Sequence, residues 1–329
     1  MFNTRSIAVL GALALLAGCS NGSLSPSSNL PAAAGVQPAT TQHAKGAAIG
    51  PNDSLVFFAN AKENYVEIWE RTKPDLVGII SYLHKPAGLA VDAENRVYVA
   101  DSGDQSVPVF ESPYNGAPIE TIDDEGYIPR GVAVAADGTV AVTNECSTAK
   151  GCPAGSGSIV LYAKGKTTPC STILTPDYTS VGFGAFDSAG DFYFDGFVKK
   201  KVVVSIVQGE CSGSNYNELQ SDYGMEYPGS LQFGPHKRLS IIDATAETIV
   251  TYTAFANALV KFAVTPLNSK YTIQPTAFAF TKSGNSVYTV NTGGGSGEHF
   301  DFPAGGTSKQ VYSLGGKPTG VAVSPPFPL

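Results

Sequence analysis

Residues Pro86–Asp101, "PAGLAVDAENRVYVAD", decide the fold because the chain repeats their pattern. At Pro129–Asn144 the sequence reads "PRGVAVAADGTVAVTN". Both stretches contain Pro, a small residue, a short apolar run, a polar turn, a second apolar run, and a terminal Asp or Asn. Short apolar runs with turn residues between them predict β-strands, and a repeat of this kind predicts an array of similar β units.

The same pattern returns along the rest of the chain, with successive starts between 43 and 51 residues apart. The further copies are Ser180–Asp195, Pro228–Asp243, Pro275–Asn291 and a last start at Pro318–Val323. A third β-rich run and a shorter fourth run follow each complete copy. Four strands every 40 to 50 residues are typical of one blade of a β-propeller.

The two ends of the repeat region complete each other. Asp53–Glu70 matches the second and third strands of a repeat, Leu76–Ser81 matches the fourth, and Pro318–Val323 supplies only a first strand. Pairing them makes one composite blade and hides two strand edges that would otherwise invite aggregation. A right-handed β-helix has shorter periods and gives no reason to split a repeat. The sequence therefore predicts an all-β, six-bladed β-propeller over residues 53–329, with four-stranded antiparallel blades and a ring closed by the terminal strands.

Residues Pro86–Phe110 resemble the NHL repeat, and residues 53–329 resemble the six-bladed NHL and gluconolactonase-like propellers. The first two internal copies carry this resemblance most closely, and the later copies share mainly the pattern. The resemblance implies the fold more than the function, because propellers host unrelated activities.

The N-terminus is typical of an export signal. Arg5 precedes an apolar run, Ser6–Gly18, that is too short to span a bilayer. It ends in "LAGC", Leu16–Cys19, which resembles the bacterial lipobox. The resemblance implies a lipoprotein signal peptide at 1–18 and lipid, including palmitate, on Cys19, which would anchor the protein to a membrane. The alternative is an ordinary signal peptide in which Cys19 is incidental.

Residues 19–52 are rich in Ser, Pro, Ala, Gly and Thr and predict a flexible tether behind the lipidated cysteine. Ser20 follows the cysteine, and by analogy with lipoproteins this implies the outer membrane in a Gram-negative host. In other hosts we expect the cell surface.

The charge balance excludes one class of partner. Charged residues make up 15% of the chain and the formal net charge is −7. A nucleic-acid partner requires a basic stripe, which this sequence lacks. We expect a monomeric protein that does not bind nucleic acid.

A recurring Asp or Asn closes the second strand of every repeat, and in a propeller these positions circle the upper mouth of the channel. They are Asn60, Asp101, Asn144, Asp195, Asp243 and Asn291. One interpretation is structural, since both residue types cap strand ends by bonding nearby backbone. The other is a binding ring, in which the carboxylates of Asp101, Asp195 and Asp243 hold calcium or another divalent cation.

Four cysteines beyond Cys19 predict disulfides in an exported domain. Three pairings are open, and the placement of the strands favours Cys146–Cys152 within one upper loop and Cys170–Cys211 between neighbouring blades. The spacing of the first pair does not match short zinc motifs.

No catalytic set stands out, because His43, His84, His236 and His299 are scattered. We therefore predict a binding or interaction module that acts through its upper face and central channel. Its upper loops at Asn144–Ser158 and Thr292–Glu298 would contact a protein, a glycan or a small ligand. Two alternatives remain: a metal-dependent lactonase- or lyase-type enzyme with its site in the channel mouth, and a purely structural protein of the cell envelope.

Overall fold

The computed structural model describes residues 49–50, 53–124, 126–147, 157–255, 257–269 and 274–329, with the side chains of residues 146 and 147 outside this set. The predicted signal peptide, Cys19 and most of the tether lie outside the described residues, as does Cys152. The described chain contains 25 β-strands and two short 3-10 turns, Glu210–Ser212 and Pro235–Lys237. None of these elements is a helix with the length and apolar character needed to cross a membrane.

In chain order the first half of the strands are β1 (Leu55–Asn60), β2 (Tyr65–Glu70), β3 (Leu76–Ile80), β4 (Pro86–Val91), β5 (Val97–Asp101), β6 (Ser106–Phe110), β7 (Glu120–Asp123), β8 (Tyr127–Val134), β9 (Val140–Ser147), β10 (Ser158–Tyr162), β11 (Ser171–Leu174), β12 (Ser180–Phe186) and β13 (Phe192–Val198). The second half are β14 (Lys201–Val207), β15 (Asn217–Ser221), β16 (Pro228–Gly234), β17 (Arg238–Asp243), β18 (Thr248–Phe255), β19 (Ala258–Asn268), β20 (Pro275–Phe280), β21 (Ser286–Asn291), β22 (Ser296–Asp301), β23 (Gly306–Thr307), β24 (Gln310–Ser313) and β25 (Pro318–Ser324).

Four sheets are separate four-stranded antiparallel blades. Their strand orders are β25-β1-β2-β3, β4-β5-β6-β7, β8-β9-β10-β11 and β20-β21-β22-β24. The first of these, which we call the closing sheet, joins the two ends of the repeat region. In it β25 pairs antiparallel with β1, and Phe57 lies opposite Ala322. The composite blade expected from the sequence is therefore present.

The remaining sheet corrects the prediction of six separate blades. It contains nine strands, because β12 to β15 and β16 to β19 are joined edge to edge and β23 pairs in parallel with the end of β19. The junction is a parallel pairing of Gln220 and Ser221 with Ala258 and Leu259. It forms because β19 is 11 residues long, more than twice the length of β15, and its first residues extend to the neighbouring edge.

The first strand of each group of four lies at the centre of the molecule. β25 contacts β4, and the contacts continue through β8, β12, β16 and β20 back to β25. Six hydrophobic clusters fill the junctions between successive groups, within the part of the chain that is described. The cluster between the closing sheet and the β20–β24 sheet contains Val56, Phe58, Val290 and Tyr312. The core is therefore distributed around a ring, and no single junction contains it all.

Local chemistry explains why the repeat needs its turn residues. In the turn between β4 and β5, Asp92 Oδ1 accepts the backbone N–H of Glu94 at 3.0 Å and of Arg96 at 2.8 Å. Asp137 and Asp187 accept backbone N–H groups in the same way in their own turns. An Asp at the start of a polar turn therefore fixes the tight connection between a first and a second strand.

The small residue near the start of each copy permits close approach at the centre of the ring. A Cβ on Gly320 in β25 would lie 2.2 Å from the carbonyl oxygen of Ala87, and a Cβ on Gly88 would lie 2.8 Å from Arg130 O. Both distances are too short for a real side chain. Glycine at these positions therefore lets neighbouring first strands come into backbone contact.

Candidate binding channel and its upper mouth

The channel is lined by the first strands. We call the end where the second strands finish the upper face, and the end where the first strands finish the lower face. The first strands and the C-terminal segment enclose a cavity of about 320 Å³. Its lining is predominantly apolar and includes Leu89, Val132, Phe183, Leu231, Ala279 and Val321. This volume is at the lower end of the range found for small-molecule pockets, about 300–1,000 Å³.

The C-terminal residues contribute to the lining of this channel at its lower end. Pro326, Phe327, Pro328 and Leu329 all line the cavity. The Phe327 ring lies 5.7 Å from the Phe280 ring, and Ser324 Oγ hydrogen-bonds Asn95 Oδ1 in the β4–β5 turn at 2.9 Å. This segment lies outside the repeat pattern, but its apolar composition, "PPFPL", is typical of a segment that packs against other residues.

Four of the six Asp and Asn residues end their second strands, whereas β9 and β13 continue three residues past Asn144 and Asp195, and none of the six is open to the channel. Each is at most 1% exposed. A side chain that is this buried cannot offer its oxygens to a ligand in the channel unless the surrounding structure opens. The binding interpretation therefore depends on a rearrangement that the capping interpretation does not need.

Asp101 and Asp243 bind the backbone that enters their own sheets. Both carboxylate oxygens of Asp101 accept the backbone N–H of His84, at 2.9 and 2.8 Å, immediately before β4. Asp243 accepts the backbone N–H groups of Glu226 at 2.9 Å and Tyr227 at 3.3 Å, immediately before β16, and two more in its own turn. These contacts are those expected of strand caps.

The three Asn residues hold equivalent segments. Asn60 Oδ1 accepts the backbone N–H of Lys317 at 3.0 Å, immediately before β25. Asn291 Nδ2 donates to Ser269 Oγ at 3.3 Å, in the segment that precedes β20. Asn144 Nδ2 donates to Ser158 Oγ at 3.2 Å, and the Asn144 side chain also hydrogen-bonds Asp124, three residues before β8. Each side chain therefore ties its second strand to a neighbouring segment of the chain.

Asp195 is the exception within this ring. Its Oδ1 accepts the backbone N–H of Phe183 at 2.9 Å, but its Oδ2 is buried and has no hydrogen-bond partner. Burial raises the pKa of Asp195 to about 8, against a smaller opposing effect of the Phe183 N–H and the Arg130 charge. Asp195 therefore carries a proton near neutral pH.

The structure does not assemble the predicted cation site from Asp101, Asp195 and Asp243. In the ranges that the structure describes, no three His, Cys, Asp or Glu side chains are grouped so that they could hold a metal ion. The hydrogen bonds above explain why, since each carboxylate faces its own sheet. Burial also raises the pKa of Asp101 to about 6, and the backbone N–H of His84 acts in the opposite direction.

The histidines and cysteines are distributed over the molecule. His84 lies at the upper face, 3.4 Å from Asp104, His236 lies in a lower turn, and His299 lies in β22. Cys170 and Cys211 form the predicted disulfide, with Cα atoms 5.3 Å apart. The predicted Cys146–Cys152 pair lies outside the described side chains, as do residues 148–156 of the upper loop.

Comparisons with known proteins agree with this architecture. The NHL repeat family model matches residues 83–110. No curated protein sequence matches the chain significantly.

Solved structures show the fold more broadly. A chain of the nidogen/laminin complex is 16% identical with a TM-score of 0.63, covering 82% of this chain and 98% of that one. A protein of unknown function from Bacteroides caccae is 13% identical with a TM-score of 0.60 and the same coverage. Hydrazine synthase from Kuenenia stuttgartiensis is 16% identical with a TM-score of 0.55, covering 80% and 79%. At these identities the likeness concerns the fold alone, and together with the family match it supports an NHL-type β-propeller.

Proposed function

We propose that the protein is an exported, lipid-anchored interaction module whose six-bladed propeller binds a partner through its upper face and central channel. The blade count treats the nine-stranded sheet as two blades that share a short parallel junction. The six consecutive contacts between first strands support this count. An NHL-type propeller is consistent with an interaction role, since rigid rings present loops and a channel to a partner.

The observation that carries the proposal is the mostly apolar channel of about 320 Å³ that the first strands and the C-terminal segment line. Ligand pockets are typically concave and mostly apolar, with a few polar groups that fix orientation. In this proposal the partner enters the channel from the upper face. One structural relative is a chain of a complex between nidogen and laminin, which is compatible with a role in association.

Occlusion of the channel tests this proposal. Ala90 lines the cavity and is half-buried, so Ala90→Trp fills part of the space. Ala117 lies on an exposed loop, and Ala117→Trp is therefore the matched control. We expect the fluorescent apolar probe 1-anilinonaphthalene-8-sulfonate to bind the native protein with one saturable site. Ala90→Trp should weaken that binding at least tenfold while Ala117→Trp leaves it unchanged. Equal binding by both variants would exclude the channel as the site.

The anchor is tested separately from the channel. We expect the full chain expressed in a bacterial host to partition into the membrane fraction and to incorporate radiolabelled palmitate. Cys19→Ser should abolish the labelling and release the protein into the soluble envelope fraction. Unlabelled native protein in the soluble fraction would show that residues 1–18 act as an ordinary signal peptide or not as a signal at all.

A further inference from the structure

The junction between the closing sheet and the β20–β24 sheet contains an arginine without an acidic partner. Arg71 directly follows β2, and its side chain enters this junction. No carboxylate within the described residues forms an ion pair with it, although seven other ion pairs are present. Arg71 Nε is buried and has no acceptor. A buried guanidinium donor without an acceptor is costly, because water no longer solvates it.

Aromatic side chains form the walls around this arginine. The Tyr312 ring lies 5.5 Å from the Trp69 ring and 6.0 Å from the Tyr288 ring. Tyr288 stacks on His299 with the ring centres 4.6 Å apart. Arg71 acts electrostatically on Tyr288, Tyr312 and His299, which places all three near its charge. We call these five residues, Trp69, Arg71, Tyr288, His299 and Tyr312, the aromatic cleft.

Two more polar atoms in the aromatic cleft lack partners. Tyr312 is 1% exposed, and its hydroxyl has no hydrogen bond of good geometry even though the Tyr288 hydroxyl is near. His299 Nε2 is likewise buried without a partner. Buried polar groups are nearly always hydrogen-bonded in folded proteins. Three such groups in one cleft therefore call for a common explanation.

The charges around the cleft favour a negative occupant. Burial lowers the pKa of Arg71, and burial followed by the Lys309 charge lowers the pKa of His299. The Asp301 charge raises the pKa of His299, but Asp301 is paired with Lys309 at 2.6 Å. Glu67 lies on the same strand as Trp69 and accepts the indole N–H at 2.8 Å, and burial raises its pKa to about 7. The acidic groups beside the cleft are therefore already engaged or protonated near neutral pH.

We propose that the aromatic cleft binds a small oxyanion. The Arg71 guanidinium, the Tyr312 hydroxyl and His299 Nε2 would each donate a hydrogen bond to its oxygens. An oxyanion supplies several acceptors at once, which is what the three unpartnered groups lack. The planar guanidinium fork matches phosphate, sulfate and carboxylate groups geometrically. This site is formed by β2 and the residue that follows it together with β21, β22 and β24, away from the channel, so it is independent of the function proposed above.

Thermal unfolding in inorganic phosphate tests the site, with sodium chloride at equal ionic strength as the reference. A ligand that binds only the folded state raises Tm in a saturable manner. We expect such a rise for the native protein and its loss in Arg71→Gln. Arg238→Gln is the matched control, because Arg238 lies over the exposed Phe262 ring in another sheet, and it should retain the full rise. Glycerol phosphate as a second probe separates a site for free phosphate from one that also accepts an esterified group.

A titration of the native protein tests the proposal even if Arg71→Gln does not fold. The imidazole signals of His84, His236 and His299 are followed by nuclear magnetic resonance in phosphate and in chloride. An anion bound in the cleft should raise the pKa of His299 selectively, because it favours the protonated ring. Identical His299 titrations in both salts, or a phosphate-dependent Tm rise that persists in Arg71→Gln, would overturn the proposal.

Discussion

At the scale of single residues, Asp195 couples folding to pH. Its carboxyl pKa is raised by burial from an ordinary value of 3.8 to about 8. Between these two values the folded state binds a proton that the unfolded state has lost. Stability therefore falls as pH rises from about 4 to about 8, by roughly 1.4 kcal/mol for each pKa unit of difference. Glu67, with a pKa raised by burial to about 7, contributes with the same sign.

The variant Asp195→Asn removes the largest of these contributions. We expect the loss of unfolding free energy between pH 5 and pH 8, measured by urea denaturation, to shrink by a few kcal/mol. Asp75→Asn, at an exposed position, is the control and should keep the native pH dependence. A native protein that gains stability over this pH interval would show that Asp195 is ionised in the folded state.

The sequence predicts the positions of single residues better than it predicts their contacts. The positions of Asp101 and Asp243 were predictable because the repeat ends on them. Their hydrogen-bond partners, such as His84 and Glu226, lie about 17 residues earlier in loops without any shared sequence pattern. The closed ring predicts that the first and last blades are adjacent, but the repeat does not predict that Arg71 and Tyr312 meet at their junction.

At the scale of elements, the approach of β25 to β4 depends on Gly320. A valine there would place its Cβ 2.2 Å from Ala87 O and 3.2 Å from the Cα of Gly88. Both contacts are to backbone, which cannot move aside as a flexible side chain does. We expect Gly320→Val to destabilise the protein by about 3 kcal/mol or more, at or above the usual range for overpacking.

Gly116 offers the matched control for this substitution. No heavy atom lies within 4 Å of the Cβ position at Gly116, and the residue is exposed. Gly116→Val should therefore change the denaturation midpoint by less than a quarter of the change in Gly320→Val. Equal effects of the two variants would mean that the first strands are not in backbone contact.

The disulfide acts between two elements, since Cys170 precedes β11 and Cys211 follows β14. It closes a loop with a sequence separation of 41. We expect Cys170→Ser with Cys211→Ser to lower the free energy of unfolding by about 2–4 kcal/mol. The parallel variant Cys146→Ser with Cys152→Ser tests the second predicted pair, and non-reducing peptide mapping identifies the bonds. A free thiol at Cys170 in the native protein would contradict the assignment.

Element lengths explain the one departure from the predicted architecture. The sequence pattern predicts a short fourth run after β18, but β19 has 11 residues, and its first two pair with β15. The parallel junction with β15 involves only two residues on each side. A pairing this short, between residues this distant in the chain, leaves no recognisable sequence pattern. The joined sheet could therefore not be predicted from the sequence.

At the scale of the whole molecule, closure of the ring was the most predictable feature. The incomplete repeats at the two ends left an unpaired first strand and an unpaired second strand, and pairing satisfies both edges. The channel was less predictable, because its apolar lining comes from strands that also pack against their neighbours. Part of its lining, residues Pro326–Leu329, lies beyond the last repeat.

Hydrogen exchange of β25 tests the central claim most directly, because this strand joins the closing sheet only if the ring is complete. Peptides that cover Pro318–Ser324 and Leu55–Asn60 are followed by mass spectrometry under native conditions. The paired register from Leu55 with Ser324 to Asn60 with Pro318 predicts slow exchange in both peptides, with similar opening free energies. Exchange of the Pro318–Ser324 amides within seconds, while the other strands stay protected, would contradict the closed ring.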